Sequence, residues 1–142
     1  MASVCIDASL AVAWFLPEDL SERAYALRER WVGTGLELIA PPILSAEVPS
    51  TLRQAVYRGR INADEGDEAF AAFLDIPIRI IQPEGLLQRA WDIGKGANAP
   101  RLYDVFYVAL AEIERCELWT ADRRLVNLLG SRFPNVHWIG EA

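Results

Sequence analysis

The feature that most limits the fold of this chain is the alternation of short apolar runs with longer segments of helical periodicity. Five short runs have the composition of buried strands, at residues 3–6, 36–40, 78–81, 117–120 and 136–139. Helices are predicted between them at residues 8–16, 19–31, 43–57, 63–74, 83–93, 102–115 and 122–130, with a loop at 94–100. Strands that alternate with helices are joined by crossover connections. The sequence therefore predicts an α/β fold, in which helices cover both faces of a mostly parallel central sheet (a three-layer α/β/α arrangement).

The length of the chain, and a sequence without repeats, linkers or low-complexity tracts, predict a single domain over residues 1–142. No basic region precedes an apolar stretch near the N-terminus, and the longest uncharged run there ends at Pro17-Glu18-Asp19. We therefore expect neither a signal peptide nor a membrane span, and a cytoplasmic location. Apolar residues make up 52% of the chain, which indicates an apolar surface buried against a partner. Three neighbouring residues are candidate anchors of that surface, although they fit a core position equally well: Trp14, Phe15 and Leu16.

The composition excludes several chemistries. His137 is the only histidine, so a ribonuclease that needs two imidazoles is excluded. One histidine and two cysteines, Cys5 and Cys116, cannot form a four-ligand zinc site within one chain. Both cysteines lie in apolar runs and are predicted to be reduced thiols. The net charge of −6 provides no general basic field for nucleic acid, so such binding needs a local patch.

Isolated acidic residues are the strongest functional signal. Asp7, Glu47 and Asp104 are the only charged residues in the stretches 1–16, 38–52 and 102–111, although 24% of the chain is charged. Asp7 and Asp122 each follow a predicted strand, at the sheet edge where α/β proteins place their sites. The helix that carries Asp104 is apolar on all sides, which predicts a buried carboxylate that costs several kcal/mol unless it is compensated. Acids that converge at one edge repel each other, and a divalent cation relieves that repulsion.

Each acid also has an ordinary structural alternative. Asp7 and Asp122 stand where helix N-caps stand. Glu47 has Arg53 as a candidate ion-pair partner on its own helix, and Asp104 has Arg101 nearby. Capping does not explain the charge-poor surroundings of Glu47 and Asp104, so the four acids together favour a site.

Four sequence motifs contain or surround these acids: Val4-Cys-Ile-Asp7-Ala-Ser9, Ala46-Glu47-Val48, Leu102-Tyr-Asp104-Val-Phe-Tyr-Val-Ala-Leu-Ala111 and Leu118-Trp-Thr-Ala-Asp122-Arg-Arg-Leu. They resemble motifs of the PIN-domain family, and most closely those of its VapC-like toxin ribonucleases. The resemblance implies a Mg²⁺- or Mn²⁺-binding ribonuclease site formed by Asp7, Glu47, Asp104 and Asp122. It further implies supporting hydroxyls at Ser9 and Thr120, a homodimer, and an antitoxin protein that covers the site.

The sequence departs from the family pattern in two places. Pro49 lies two residues after Glu47, where a kink in the helix would redirect that carboxylate. Arg123 and Arg124 stand where some members supply a further acid, which predicts that a second metal is weakly bound or absent.

The sequence thus predicts a metal-dependent endoribonuclease that hydrolyses RNA phosphodiesters with an activated water. Arginines near the acids are candidate phosphate contacts: Arg53, Arg101, Arg123 and Arg124. Alternatives are a housekeeping nuclease of the same family and a regulatory domain whose acids hold a structural cation. A phosphoacceptor receiver domain fits poorly, because the third strand ends in Gln82-Pro83 and Lys95 is the only lysine.

Overall fold

A five-stranded sheet forms the centre of the computed structural model, which describes residues 2–141. The strands are β1 (Ser3–Ile6), β2 (Glu37–Ala40), β3 (Ile78–Ile80), β4 (Glu117–Thr120) and β5 (Val136–Trp138). They lie in the order β3-β2-β1-β4-β5, and each neighbouring pair is parallel. The predicted parallel α/β sheet is confirmed.

Helices connect the strands. They are α1 (Ala8–Phe15), α2 (Ser21–Thr34), α3 (Leu44–Tyr57), α4 (Ala63–Asp75), α5 (Leu86–Gly96), α6 (Tyr103–Ile113) and α7 (Arg123–Leu129), with short 3₁₀ turns at Gly130–Arg132 and Ile139–Glu141. The predicted loop at 94–100 is wrong in its first part, because α5 continues to Gly96. Gly94 does not break the helix. A Cβ at this position would clash with Leu102 Cδ2, so glycine allows close packing between α5 and the start of α6.

Both faces of the sheet are covered. Cys5 of β1 and Leu118 of β4 are register partners and share a face, on which the Cys5 thiol contacts the carbonyl oxygen of Tyr107 in α6 at 3.6 Å. Trp119 points to the opposite face because side chains alternate along a strand, and there its ring lies 6.4 Å from the ring of Trp31 in α2. The sheet is therefore the middle of three layers.

The order of the strands reverses between β1 and β4. From β1 the chain builds outward through β2 and β3, then returns to the other side of β1 to add β4 and β5. In open parallel sheets a crevice forms at such a switch point, beyond the carboxyl ends of the two central strands. Asp7 directly follows β1, and Asp122 lies two residues after β4.

The segment predicted as either surface anchors or core is largely core. Trp14 and Leu16 are buried, and the indole N–H of Trp14 donates to the Ala24 carbonyl at 2.9 Å. Phe15 is partly buried and packs edge-on against Phe73 of α4 at a ring distance of 5.9 Å. The surface-anchor alternative is wrong for Trp14 and Leu16, because both are buried and α1 packs against α2, α3 and α4.

The two cysteines are free thiols, of which Cys5 is buried and Cys116 is half-buried.

Across residues 2–141, no helix combines the length and the apolar character needed to cross a lipid bilayer.

Candidate active site

A cleft of about 600 Å³ opens at the switch point between β1 and β4. All four predicted acids line it, and each comes from a different part of the fold: Asp7, Glu47, Asp104 and Asp122. The topology thus brings together side chains that are up to 115 residues apart in the sequence, the separation between residues 7 and 122.

Asp7 is the most buried of the four acids, with 4% of its surface exposed. It is the N-cap of α1: its Oδ1 accepts from the backbone N–H of Leu10 at 2.9 Å and from the Ser9 hydroxyl at 2.8 Å. Its Oδ2 accepts a short hydrogen bond from the Thr120 hydroxyl. Burial raises the pKa of Asp7 from 3.8 to about 6, the charge of Asp104 adds to the rise, and the three hydrogen bonds only partly offset it.

Hydroxyl groups connect the ends of β1 and β4. Ser9 Oγ and Thr120 Oγ1 lie 3.2 Å apart, and both also contact Asp7. The same two oxygens accept backbone N–H groups from the chain after β4: Ala121 donates to Ser9 at 3.0 Å, and Asp122 donates to Thr120 at 2.9 Å. The predicted supporting hydroxyls therefore fix Asp7 and the backbone of Asp122 relative to each other.

Glu47 enters the cleft from α3. Its Oε1 accepts from the phenol of Tyr107 in α6 at 2.6 Å, instead of pairing with Arg53. Partial burial and the charge of Asp104 raise the pKa of Glu47, and the phenol opposes this. Burial, followed by the hydrogen bond to Glu47 and its charge, raises the pKa of the Tyr107 phenol far above its usual value. Pro49 does not end α3, which runs on to Tyr57, so Glu47 still faces the cleft.

The position of Asp104 corrects the sequence prediction. It is exposed, not buried, because α6 begins at Tyr103 and so places Asp104 in its first turn, where burial starts only at Val105. A carboxylate at a helix N-terminus is also stabilised by the helix dipole. Loss of hydration at the carboxyl group, followed by the charge of Asp122, raises the pKa of Asp104, and the charges of Arg124 and Arg101 lower it.

Asp122 is the N-cap of α7. Its Oδ1 accepts from the backbone N–H of Arg124 at 3.0 Å and from the Arg124 guanidinium at 3.3 Å. Asp7 and Asp122 each cap a helix and also line the cleft. The capping role therefore does not exclude a role in the site.

Comparison with known proteins shows which family has this sequence pattern. A sequence model of the PIN domain matches residues 4–128. The chain belongs to the PIN-domain family.

Curated relatives and solved structures agree with this assignment. The chain is 34% identical over 122 residues to ribonuclease VapC9 of Mycobacterium tuberculosis, which covers 86% of this chain and 87% of that protein. It is 30% identical over 131 residues to ribonuclease VapC3 of Pyrobaculum aerophilum, covering 91% and 93%. In fold it is similar to a chain of a toxin–antitoxin complex from Klebsiella pneumoniae, with a TM-score of 0.68, 17% identity, and coverage of 95% and 96%.

The donor chemistry of this PIN domain suits a hard divalent cation. Four carboxylates from separate elements line one cleft, and the charges of Asp104 and Asp122 raise the pKa of neighbouring acids in it. Oxygen donors of this kind are what Mg²⁺ and Mn²⁺ prefer. As they are arranged among residues 2–141, no three acidic, histidine or cysteine side chains form a group that could hold a metal ion.

The four arginines predicted as phosphate contacts lie outside the lining of the cleft. Arg53 lines a separate groove between α3 and α4. Arg101 lies over the ring of Tyr103, and Arg123 lies 4.9 Å above the ring of Trp138. Arg124 is the nearest to the acids through its contact with Asp122.

Tyr107 and Arg60 are among the cleft residues that the sequence did not single out. Tyr107 lies in the predicted Asp104 motif, but its partner Glu47 is 60 residues away. Arg60 follows α3, is exposed, and lines the cleft beside the connection between α1 and α2. Neither interaction has a local spacing signal, because both depend on which helices the fold packs together.

Proposed function

We propose that this chain is a metal-dependent endoribonuclease and the toxin of a toxin–antitoxin pair. The observation that carries this proposal is the convergence of four carboxylates from four elements in one cleft. The curated relatives that cover most of the chain at 30% identity or more are named as VapC ribonucleases, which supports the same activity.

Their positions in the cleft support the following roles for the site residues. Asp7, Asp104 and Asp122 would hold Mg²⁺ or Mn²⁺ directly or through water, and Glu47 would be a further ligand or orient the attacking water. When bound, the cation lowers the pKa of a coordinated water and offsets the charge that develops on the phosphate. Ser9 and Thr120 keep Asp7 in one orientation through their hydroxyl groups. Tyr107 does the same for Glu47.

Partners are part of the proposal. An antitoxin protein covers the cleft, and the chain forms a homodimer in the cytoplasm. The Klebsiella pneumoniae chain of similar fold comes from a toxin–antitoxin complex. Leu87 and Trp91, four residues apart on α5, are 60% and 58% exposed, and they provide apolar surface for association in place of the buried Trp14 and Leu16.

We predict that the purified chain cuts single-stranded RNA in the presence of Mg²⁺ or Mn²⁺ and leaves 5′-phosphate and 3′-hydroxyl ends. These ends follow from in-line attack by water, which needs no ribose 2′-hydroxyl. The assay is gel electrophoresis of an end-labelled RNA, with the ends identified by direct ligation, and EDTA is the control. Cleavage that survives EDTA and leaves cyclic phosphates would contradict the mechanism. Absence of cleavage with both cations would favour a regulatory domain.

We also predict that Mn²⁺ stabilises the wild-type chain and has much less effect on Asp104→Asn. A cation that binds only the folded state contributes about 2.7 kcal/mol to the free energy of unfolding at one hundred times its Kd. Without metal, the variant is expected to unfold at or above the wild-type denaturant midpoint, since it loses one of several mutually repelling charges. Chemical denaturation with and without Mn²⁺ measures both effects.

The matched control is Asp67→Asn, which removes an exposed carboxylate on α4 outside the cleft. This variant should retain the full stabilisation by Mn²⁺. If metal-free Asp104→Asn instead unfolds far below the wild type, and Mn²⁺ shifts neither protein, Asp104 is a structural ion-pair partner and its assignment as a ligand is wrong.

A further inference from the structure

The charge balance of the cleft is unfavourable for an RNA substrate. Six of its lining residues in the described chain are acidic, and Arg60 is the one basic residue among them. The acids are Asp7, Glu18, Asp19, Glu47, Asp104 and Asp122. A phosphodiester backbone that enters this cleft meets net negative charge. A positively charged side chain in the cleft wall therefore has a large effect on where the backbone binds.

The end of α3 determines where Arg60 lies. Gly59 has a φ of 72°, in the left-handed region that favours glycine, and the chain reverses there. The Gly59 N–H donates to the Val56 carbonyl at 3.0 Å, and the Arg60 N–H donates to the Ala55 carbonyl at 2.9 Å, which is the hydrogen-bond pattern of a Schellman motif. This turn directs Arg60 back towards the connection between α1 and α2.

The Arg60 guanidinium is held beside that connection. One nitrogen, Nη2, donates to the Pro17 carbonyl at 2.8 Å and to Glu18 Oε2 at 2.9 Å. Nη1 lies 3.5 Å from Glu18 Oε1. The Arg60 and Glu18 side chains are 46% and 36% exposed, and an ion pair this open to solvent contributes little to stability. The carbonyl of Pro17 therefore positions the guanidinium, while the Glu18 carboxylate occupies a place that another anion can take.

We propose that Arg60 binds a backbone phosphate of the RNA, in exchange for Glu18, and so positions the strand across the carboxylates. This inference rests on the proposed ribonuclease function. A guanidinium suits the task because its fixed fork of donors matches a phosphate, and it stays charged at any working pH. Arg60 thus stands at the α1–α2 wall, and Arg101 and Arg124 act on Asp104 electrostatically from the other elements. The substrate strand passes between these positive positions.

The test compares cleavage kinetics of Arg60→Gln with Arg58→Gln at several KCl concentrations. Arg58 is an exposed arginine at the same helix end that does not line the cleft, so it controls for loss of one positive charge. Arg60→Gln is expected to raise KM for RNA about tenfold with kcat within about twofold. The slope of log KM against log salt concentration should be smaller for this variant than for the wild type by about 0.7, the value for one lost phosphate contact on a single strand. Arg58→Gln should match the wild type.

Two further variants separate binding from structure. Arg60→Lys should recover part of the lost affinity, since lysine retains the charge without the fork. Glu18→Gln should lower KM, because it removes the competing anion. If the ion pair between Arg60 and Glu18 only stabilises the fold, Arg60→Gln and Glu18→Gln will lower the free energy of unfolding by similar amounts. KM and its salt dependence will then stay unchanged, and the proposal is overturned. Wild-type cleavage with Arg60→Gln indistinguishable from Arg58→Gln also overturns it but leaves the ribonuclease proposal intact. A wild-type chain that cuts no RNA removes both.

Discussion

Expression of the chain alone is expected to arrest bacterial growth, and Asp104→Asn or Asp7→Asn is expected to abolish the arrest. Asp104 lies at the mouth of the cleft, exposed in the first turn of α6, so its loss leaves the core of the fold untouched. Removal of one carboxylate from a metal-dependent site is expected to reduce cleavage on the order of a thousandfold, equivalent to about 4 kcal/mol of transition-state stabilisation. A toxin impaired to that degree no longer outpaces RNA synthesis.

Induction of each variant to the same soluble level, with optical density followed over several hours, measures the effect. Asp67→Asn is again the control, since its carboxylate lies on α4 away from the cleft, and it should arrest growth as the wild type does. Equal growth of cells that express the wild type, Asp7→Asn and Asp104→Asn would refute the toxin assignment. A housekeeping nuclease of the same family would then remain, to be judged by cleavage in vitro.

The fold could be predicted from the sequence to a large extent, because the periodicity of each segment reflects its burial. All five strands occur where the apolar runs place them, with ends that differ by one residue at most. The error at α5 has a specific cause. In the sequence Gly94 has the features of a helix terminator, whereas the structure uses its missing side chain to bring α5 against Leu102. Sequence patterns do not distinguish a glycine that ends a helix from one that allows close packing.

The sequence predicts which acids line the cleft, but not the burial or the contacts of those acids. Glu47 and Asp104 are the only charged residues in their stretches of the sequence, and that signal is available without a structure. The burial of their helices differs, because α6 is buried at most positions from Val105 onwards, whereas α3 buries one face only. Whether a given carboxylate is exposed or buried depends on its place in its helix: Asp104 lies in the first turn of α6 and is exposed, whereas burial begins at Val105. Tyr107 and Arg60 are defined by contacts across 60 and 42 residues, so only the packing of α3 against its neighbours reveals them.

The metal-free chain is expected to become less stable as pH rises from about 4 to 6, and Asp7→Asn is expected to remove much of that loss. Burial raises the pKa of Asp7 from 3.8 to about 6, so the folded state binds a proton more tightly than the unfolded chain does. Asp7 therefore favours folding below about pH 4, and this contribution disappears as pH passes through the folded-state value near 6. The rise corresponds to roughly 3 kcal/mol at neutral pH. The Asp7→Asn variant avoids this cost because its amide is uncharged, and the amide keeps an oxygen for the Leu10 N–H.

Urea unfolding in EDTA at several pH values between 4 and 7.5 tests this, with the difference between wild type and Asp7→Asn as the readout. Taking the difference cancels the shared contributions of Glu47 and Asp104, whose pKa values are also raised. The two proteins should be nearly equal in stability at pH 4, and the variant should be more stable by up to about 3 kcal/mol above pH 6. Asp67→Asn should show no such divergence. A variant that is less stable than the wild type at pH 7 would mean that the hydrogen bonds from Leu10, Ser9 and Thr120 outweigh burial, and that the Asp7 anion stabilises the fold even without a cation.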